Sequence, residues 1–276
     1  METMYRIQKM LPEHYDSAAK LWSMVFGDDE ALVHEFYRLF GEQESFAICA
    51  VHKDGDVVCA AYCPSGTDYI TADGEVHKGR YLYAVATHPD HRKQRLASLC
   101  CNQARAHTLR GEEYLFTKPS EESLYPWYEE NIELFPVLGG KRMELNAKPT
   151  AAPSMEPVSF EEYFKLRSEL LSGTAHVRHS IEWMEWESLL HNAYGGGFYA
   201  FGDHIADLYF DGTGVQVNEL LPHPTEGEAE PLLQGIMAAM GAEKCVCTLF
   251  GEENYVSAAS KDGQLPPNAW FGPCYG

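Results

Sequence analysis

The residues from Tyr83 to Ser98 constrain the fold of this chain more than any other stretch. They read as the end of an apolar strand, a turn with Pro89, a cationic loop and the start of a helix. A strand that leads through such a loop into a helix brings free backbone N–H groups and the positive end of the helix dipole to one point. The stretch therefore predicts an α/β fold with a site for a phosphate group at the start of this helix.

The charge distribution points to the same place. The chain has 21 Lys and Arg against 41 Asp and Glu, a formal net charge of -20, yet seven of the 21 basic residues lie between His77 and Gly111. A basic island in an acidic chain indicates a local anionic ligand. The acidic balance argues against a nucleic-acid partner, which requires an extended cationic face. It favours a cationic substrate by electrostatic steering, although solubility explains it equally well.

Composition also indicates where in the cell the protein is expected and whether it is expected to bind a metal ion. No run of 18 or more apolar residues is present and the first residues contain no apolar signal core, so we expect a soluble cytoplasmic protein without a membrane partner. The eight Cys residues form no C-x-x-C pair, and most stand in apolar runs as free thiols do. The twelve His residues show no metal-ligand spacing, and we expect no metal site.

The cationic loop resembles the cofactor loop of the GNAT-type N-acetyltransferase superfamily, whose signature is Gln/Arg-x-x-Gly-x-Gly/Ala. The frame in this chain is Arg92-Lys93-Gln94-Arg95-Leu96-Ala97. The apolar strand, the Thr-His-Pro turn, the first Arg and the last Ala agree with the signature, whereas Arg95 stands where the family has its first Gly. Arg95 either replaces lost backbone contacts with charged ones or obstructs the pocket.

The resemblance implies the GNAT-type fold, an α/β (α+β) mixed sheet flanked by helices, over residues 4–146. It also implies acetyl-CoA (coenzyme A) as the acyl donor. In this family the strand before the loop parts from its neighbour and pairs with the pantetheine arm, while the loop and the helix start hold the pyrophosphate. The cofactor-binding residues that match are Val85, Ala86, Thr87, Arg92, Lys93, Gln94, Arg95, Leu96, Ala97 and Ser98.

The general acid of the family is usually a Tyr in a Tyr-x-x-x-Gly-Phe-like segment after the next strand. Tyr128 fits that frame best as the catalytic residue and Tyr125 is second, with aromatic packing as the alternative role for either. The expected Gly-Phe is absent, which leaves the frame open. A phenol of ordinary pKa, near 10, is able to protonate a leaving thiolate. No general base is evident; in relatives of the enhanced-intracellular-survival type the C-terminal carboxylate serves, which makes Gly276 a candidate.

A Pro- and Ala-rich connector at residues 148–157 predicts a boundary between two domains, at 1–147 and 158–276. The segment Leu221-Pro-His-Pro-Thr precedes a helix and a strand, as Ala86-Thr-His-Pro-Asp does in the first half. The second helix start carries Glu226, Glu228 and Glu230, which would repel a pyrophosphate. We expect a smaller, degenerate GNAT-like second domain; two ordinary α/β units that converge are the alternative. One continuous sheet across the connector would argue against the division.

These features predict a tandem-domain acyltransferase that moves an acetyl group from acetyl-CoA to a primary amine of a small molecule or peptide. The alternative is a non-catalytic acyl-CoA-binding or regulatory module with a decayed site, which Arg95 and the missing Gly-Phe favour. The oligomeric state, a homo-oligomer included, stays open. The chain contains neither a P-loop motif nor a G-x-S-x-G nucleophile elbow.

Overall fold

The computed structural model describes residues 4–266 and 269–273, which form fifteen strands and seven helices. None of the helices in these ranges combines the length and the apolar character that crossing a membrane requires. The helices are α1 (Tyr15–Phe26), α2 (Glu30–Phe40), α3 (Leu96–Gly111), α4 (Tyr125–Ile132), α5 (Phe160–Leu170), α6 (Ile181–Tyr194) and α7 (Glu226–Met240). The strands are β1 (Tyr5–Lys9), β2 (Ala47–His52), β3 (Val57–Tyr62), β4 (Thr67–Ile70), β5 (Val76–His77), β6 (Gly79–Tyr81), β7 (Tyr83–Thr87), β8 (Tyr114–Thr117), β9 (Phe135–Asn146), β10 (Glu156–Val158), β11 (His176–His179), β12 (Gly196–Phe201), β13 (His204–Phe210), β14 (Gly214–Leu221) and β15 (Lys244–Ser260).

The first half is built on a four-stranded antiparallel sheet in the order β1-β2-β3-β7. Successive residues of a strand point to opposite faces, and both faces of this sheet are covered. Ala47 and Cys49 of β2 belong to the core formed with α1 and α2, whereas Ile48 and Ala50 belong to the core formed with α3. The sheet flanked by helices confirms the predicted mixed α/β class.

The second sheet runs through both halves of the chain. Its order is β10-β12-β13-β14-β15-β8-β6, with β9 also paired to β15. β15 joins the halves because its first residues pair parallel with β14 while Ser257–Ser260 pair antiparallel with β8. This shared strand counts against two domains with independent sheets, and the division at residues 148–157 stays a prediction.

The two halves nevertheless repeat one topological unit. In the first, β6 and β8 are parallel neighbours connected through α3, with Gly79 opposite Tyr114. In the second, β14 and β15 are parallel neighbours connected through α7, with Gly214 opposite Lys244. The order strand, helix, parallel strand is thus the same in both halves.

The halves pack together through aromatic rings. Phe36 of α2 lies 5.1 Å from Trp186 and 6.2 Å from Trp183 of α6, measured between ring centroids. Tyr83 of β7 lies 5.6 Å from Trp183. Both tryptophans are fully buried. One continuous apolar core therefore fixes α6 of the second half against α1, α2 and β7 of the first.

A buried ion pair anchors the second half. The carboxylate of Glu219, on β14, accepts hydrogen bonds from Nε of Arg167 at 2.8 and 3.1 Å, from the hydroxyl of Tyr163 at 2.8 Å and from Nε1 of Trp270. Burial opposes ionisation, but the charge and hydrogen bonds of Arg167, together with those of Trp270 and Tyr163, hold the pKa of Glu219 below its ordinary value. A carboxylate with this many donors is ionised in the folded chain.

Candidate active site

The segment of residues 79–87 forms two strands, β6 and β7, which pair with different partners. β6 pairs with β8, and the last contact is the N–H of Leu82, which donates to the carbonyl of Phe116 at 2.7 Å. β7 pairs instead with β3, on the other edge. Ala84, the second residue of β7, has φ +46. A left-handed Ala costs about 1–2 kcal/mol, so the surrounding structure holds this bend against its own preference. The backbone of β7 thereby parts from β8.

A cavity of about 910 Å³ opens where the strands part. Its wall from the first half includes Ala84 and Val85 of the parted strand, Thr117 at the end of β8, and Tyr128 of α4. Its wall from the second half comes from α6 and from the strands β13, β14 and β15. The cavity therefore brings the predicted strand residue Val85 and the predicted acid Tyr128 to one space.

The cationic loop begins directly after the parted strand. Nε of Arg92 donates to the carbonyl of Thr87 at 3.3 Å, which ties the loop to the end of β7. Lys93 and Arg95 have φ +63 and +61, both in the left-handed region. Left-handed residues alternating with others turn successive N–H groups to one side, as in anion-binding loops. The signature's first Gly thus falls at a position whose backbone favours Gly, and Arg95 occupies it under strain.

The helix that follows has its N–H groups free. The first intrahelical bond of α3 is from the N–H of Leu99 to the carbonyl of Arg95, at 3.0 Å. The N–H groups before it have no partner within the helix. The side chains of Leu96 and Ser98 are buried, so these two residues are able to offer only their backbone to a ligand. The side chains from Arg92 to Arg95 are exposed. Their cofactor role stays a prediction.

The two candidate acids differ in what their hydroxyl groups contact. Tyr128 is buried in the cavity wall, next to Thr117. Burial raises the pKa of Tyr128 well above its ordinary value, and the hydrogen bond with Thr117 offsets this only in part. The hydroxyl of Tyr125 donates to the backbone carbonyl of Tyr255 at 2.9 Å. Gly276, the candidate base, lies outside the described residues.

A cluster of ionisable groups in the cavity wall is missing from the sequence analysis. Glu187 and His191 stand four residues apart on α6, a spacing that places both on one face of a helix, and Asp207 of β13 joins them. Each residue offers one nitrogen or oxygen atom that could bind a metal ion, and these three atoms lie within 4.8 Å of one another. No metal-ligand spacing among the His residues was found in the sequence, and this group was not singled out there; the expectation of no metal site stays a prediction. The i,i+4 pair was the available signal, but Asp207 is sixteen positions further on and only the fold brings it close.

The fold is shared with solved acetyltransferase structures. A GCN5-related N-acetyltransferase from Kribbella flavida matches 93% of this chain and 71% of its own, with a TM-score of 0.65 and 14% identity. A probable N-acyltransferase from Enterococcus faecalis matches 95% of this chain and 74% of its own, with a TM-score of 0.70 and 11% identity. Eis1 from Mycobacterium abscessus matches 94% of this chain and 74% of its own, with a TM-score of 0.62 and 12% identity.

No protein-family model matches the sequence, and none of the curated proteins does either. The structural matches extend over both halves of the chain, so they confirm the predicted resemblance in fold, the Eis-like one included. The chain has the fold of the GCN5-related N-acetyltransferases.

Proposed function

We propose that this chain is an acetyl-CoA-dependent N-acetyltransferase that acts on a primary amine of a small molecule or peptide. The observation that carries the proposal is the parting of β7 from β8 after Leu82, with Ala84 left-handed, next to a cationic loop with two left-handed residues. An unpaired strand edge suits a ligand arm that bonds like an added strand. A helix start with free N–H groups suits a pyrophosphate.

The residues present fit acetyl-CoA. Val85 lines the cavity, and its backbone would pair with the pantetheine arm. The N–H groups at the start of α3 and the side chains of Arg92, Lys93 and Arg95 would hold the phosphates. Acetyl-CoA supplies an acetyl group as a thioester and leaves as a thiol. The phenol of Tyr128, in the same cavity, would give the leaving sulfur its proton.

The second half would not hold a second cofactor. The start of α7 is occupied by its own carboxylate, because Glu228 accepts from the N–H of Thr225 at 2.9 Å and from its hydroxyl at 2.6 Å. This capping box takes up donors that a phosphate would need. We propose that residues 158–276 form a degenerate copy of the first unit. In this proposal they supply the acceptor wall, which is the side of the cavity formed by α6, β13, β14 and β15. One acetyl-CoA bound per chain is the stoichiometry expected.

Calorimetry with acetyl-CoA, followed by an assay of thiol release over a panel of primary amines, tests the function. We expect the chain to bind acetyl-CoA. We also expect it to release thiol only when an amine of one class is present. Binding without turnover on any amine would favour the non-catalytic module instead. Absence of binding at millimolar acetyl-CoA would overturn both.

Arg95→Ala and Arg95→Gly separate the charge of this residue from its backbone. Both variants lose the guanidinium, so each is expected to bind CoA about 10- to 100-fold more weakly, the usual range for a charge-assisted hydrogen bond. Gly also relieves the left-handed strain at this position. The free energy of unfolding of Arg95→Gly should therefore be about 1–2 kcal/mol higher than that of Arg95→Ala. Calorimetry and urea unfolding measure the two effects. A CoA dissociation constant lower in Arg95→Gly than in the native chain would show that Arg95 obstructs the site.

A further inference from the structure

The buried cluster of Glu187, His191 and Asp207 has no part in the steps described above. Nε2 of His191 lies 2.8 Å from Oδ1 of Asp207 and 3.4 Å from Oε1 of Glu187. The three residues are 1%, 5% and 0% exposed. Ionisable groups this deeply buried are costly unless their charges are balanced.

The charges of the cluster are not balanced by the chain. Burial alone would lower the pKa of His191, but the hydrogen bonds and charges of Asp207 and Glu187 raise it to about 10, so the imidazole is cationic at neutral pH. One cation faces two carboxylates. Burial and the charge of Glu187 raise the pKa of Asp207, the direction expected where carboxylates outnumber cations.

Two carboxylate oxygens in the cluster lack hydrogen-bond partners. Among residues 4–266 and 269–273, neither Oε2 of Glu187 nor Oδ2 of Asp207 accepts a hydrogen bond. Glu187 belongs to the wall of the cavity, whereas His191 and Asp207 stand behind it. A buried acceptor with no partner is expensive, and a donor that enters through the cavity would satisfy it. The site therefore favours a ligand that is cationic and carries N–H groups.

The cavity around Glu187 is aromatic. Trp22, Tyr83 and Tyr209 line it together with this carboxylate. Ring faces attract ammonium ions by about 0.5–2 kcal/mol each. Aromatic rings beside a buried carboxylate favour an organic ammonium ion over a hydrated metal ion. In addition, Nε2 of His191, the atom that a metal would take, already bonds to Asp207.

We propose that Glu187 binds the ammonium group of the acceptor and accepts its proton, with His191 and Asp207 as positioning residues, and that the acceptor is a primary amine attached to an apolar or aromatic body. This rests on the proposed function for the transfer step but not for the binding step. It assigns the general base to Glu187 of α6, whereas the sequence offered only the C-terminal carboxylate of Gly276.

The protons balance as follows. The ammonium ion gives one proton to the carboxylate of Glu187, which releases it to solvent. The neutral nitrogen then forms the C–N bond as the C–S bond of the donor breaks, with its electron pair left on sulfur. Tyr128 protonates the sulfur, and the second proton that the nitrogen loses restores Tyr128. The net reaction consumes an ammonium ion and a thioester and yields an amide, a thiol and one proton.

Calorimetry at pH 7 with phenethylamine and with 2-phenylethanol, its neutral isostere, tests the binding step without acetyl-CoA. The native chain is expected to bind the ammonium ion at least about 10-fold more tightly than the alcohol, as for one charge-assisted bond. Glu187→Gln should lose this preference. The matched control is Glu185→Gln, which removes the same charge from α6, where Glu185 pairs with Arg38 at 2.6 Å.

The transfer step gives a second readout that a purely structural role would not move. Glu187→Gln is expected to lower kcat/KM about 100-fold at pH 7, within the range of general base catalysis, with the deficit shrinking towards pH 10 as free amine becomes abundant. The titratable groups that face Glu187 are His191 of α6, Asp207 and Tyr209 of β13, and Tyr83 of β7. A deficit that is equal at both pH values would overturn the base assignment.

Three other outcomes would overturn the proposal. They are equal binding of amine and alcohol by the native chain, no binding of phenethylamine at millimolar concentration, and stoichiometric binding of Zn²⁺ or Mn²⁺ alone that Glu187→Gln abolishes. The comparison of the two probes on the native chain needs no variant, so misfolding of Glu187→Gln would not remove the test. Amine binding without acetyl-CoA binding would contradict only the proposed function, and the reverse would contradict only this inference.

Discussion

Glu219→Gln is expected to lower the free energy of unfolding by about 3–5 kcal/mol, because it leaves the guanidinium of Arg167 buried without its counter-charge. The side chain of Glu219 is fully buried, and that of Arg167 is 4% exposed. The amide also supplies an N–H₂ group where the carboxylate now accepts from Tyr163 and Trp270. Urea unfolding followed by the fluorescence of the five tryptophans measures the loss.

The stability difference between the native chain and Glu219→Gln should depend on pH in the acid range. Since the pKa of Glu219 is lower in the folded chain than in the unfolded one, its charge stabilises the fold above the unfolded value and the contribution is lost as the pH falls through the folded pKa. The difference between the native chain and Glu219→Gln should therefore shrink on acidification. Glu169→Gln, an exposed position on α5, is the control and should change stability by less than about 0.5 kcal/mol. Equal stability of the two variants would contradict the argument.

The features that the sequence predicted well are local. The cationic loop was readable because strand, Pro turn, basic residues and helix start follow one another within sixteen residues. The structure adds that Arg95 replaces Gly at a left-handed position, which a signature indicates only indirectly. Helix α1 shows the apolar spacing of an amphipathic helix, and Asp29 caps α2 by accepting from the N–H of Ala31 at 2.7 Å.

The features that the sequence did not reveal depend on distant pairings. The length of β15 is one such feature. β15 continues to Ser260 through a series of register shifts against β9. Glycines permit this: a Cβ on Gly251 would lie 2.9 Å from the carbonyl oxygen of Gly140, and a Cβ on Gly140 would meet the ring of Tyr255. The close approach of two strands 111 positions apart leaves no local pattern.

The candidate site shows the same division. Val85 and Tyr128 were assigned by their order along the chain, and both line the cavity. The acceptor wall was not predicted, since Glu187 reaches the cavity only because α6 packs on α2 and β7 through Trp183 and Trp186. No local pattern around Glu187 indicates that it lies beside residues of the first half.

Tyr128→Phe is expected to lower kcat about 10²- to 10⁴-fold, the usual contribution of a general acid, while the CoA dissociation constant stays unchanged. The substitution removes only the hydroxyl from a side chain that is 8% exposed, so the ring still fills its place. Stopped-flow measurement of thiol release at saturating amine and acetyl-CoA isolates the chemical step. Calorimetry with CoA shows that the cofactor site is intact.

Tyr125→Phe is the matched control for this experiment. It also removes one phenolic hydroxyl from α4, but this hydroxyl donates to the carbonyl of Tyr255 and its loss should cost stability, about 1 kcal/mol, rather than turnover. A large loss of kcat in Tyr125→Phe with little change in Tyr128→Phe would transfer the role of acid to Tyr125. Loss in neither variant would show that the leaving sulfur takes its proton from another donor.

The pH profile of the native enzyme adds an independent check on Tyr128. An acid must be protonated to act, and burial holds the pKa of this phenol well above the ordinary value near 10. With both substrates saturating, kcat should therefore show no fall from loss of the acid as the pH rises to about 10, where an ordinary phenol is half ionised. A decline in kcat between about pH 8 and 10 that Tyr128→Phe abolishes would mean that the phenol ionises more easily than its buried position implies.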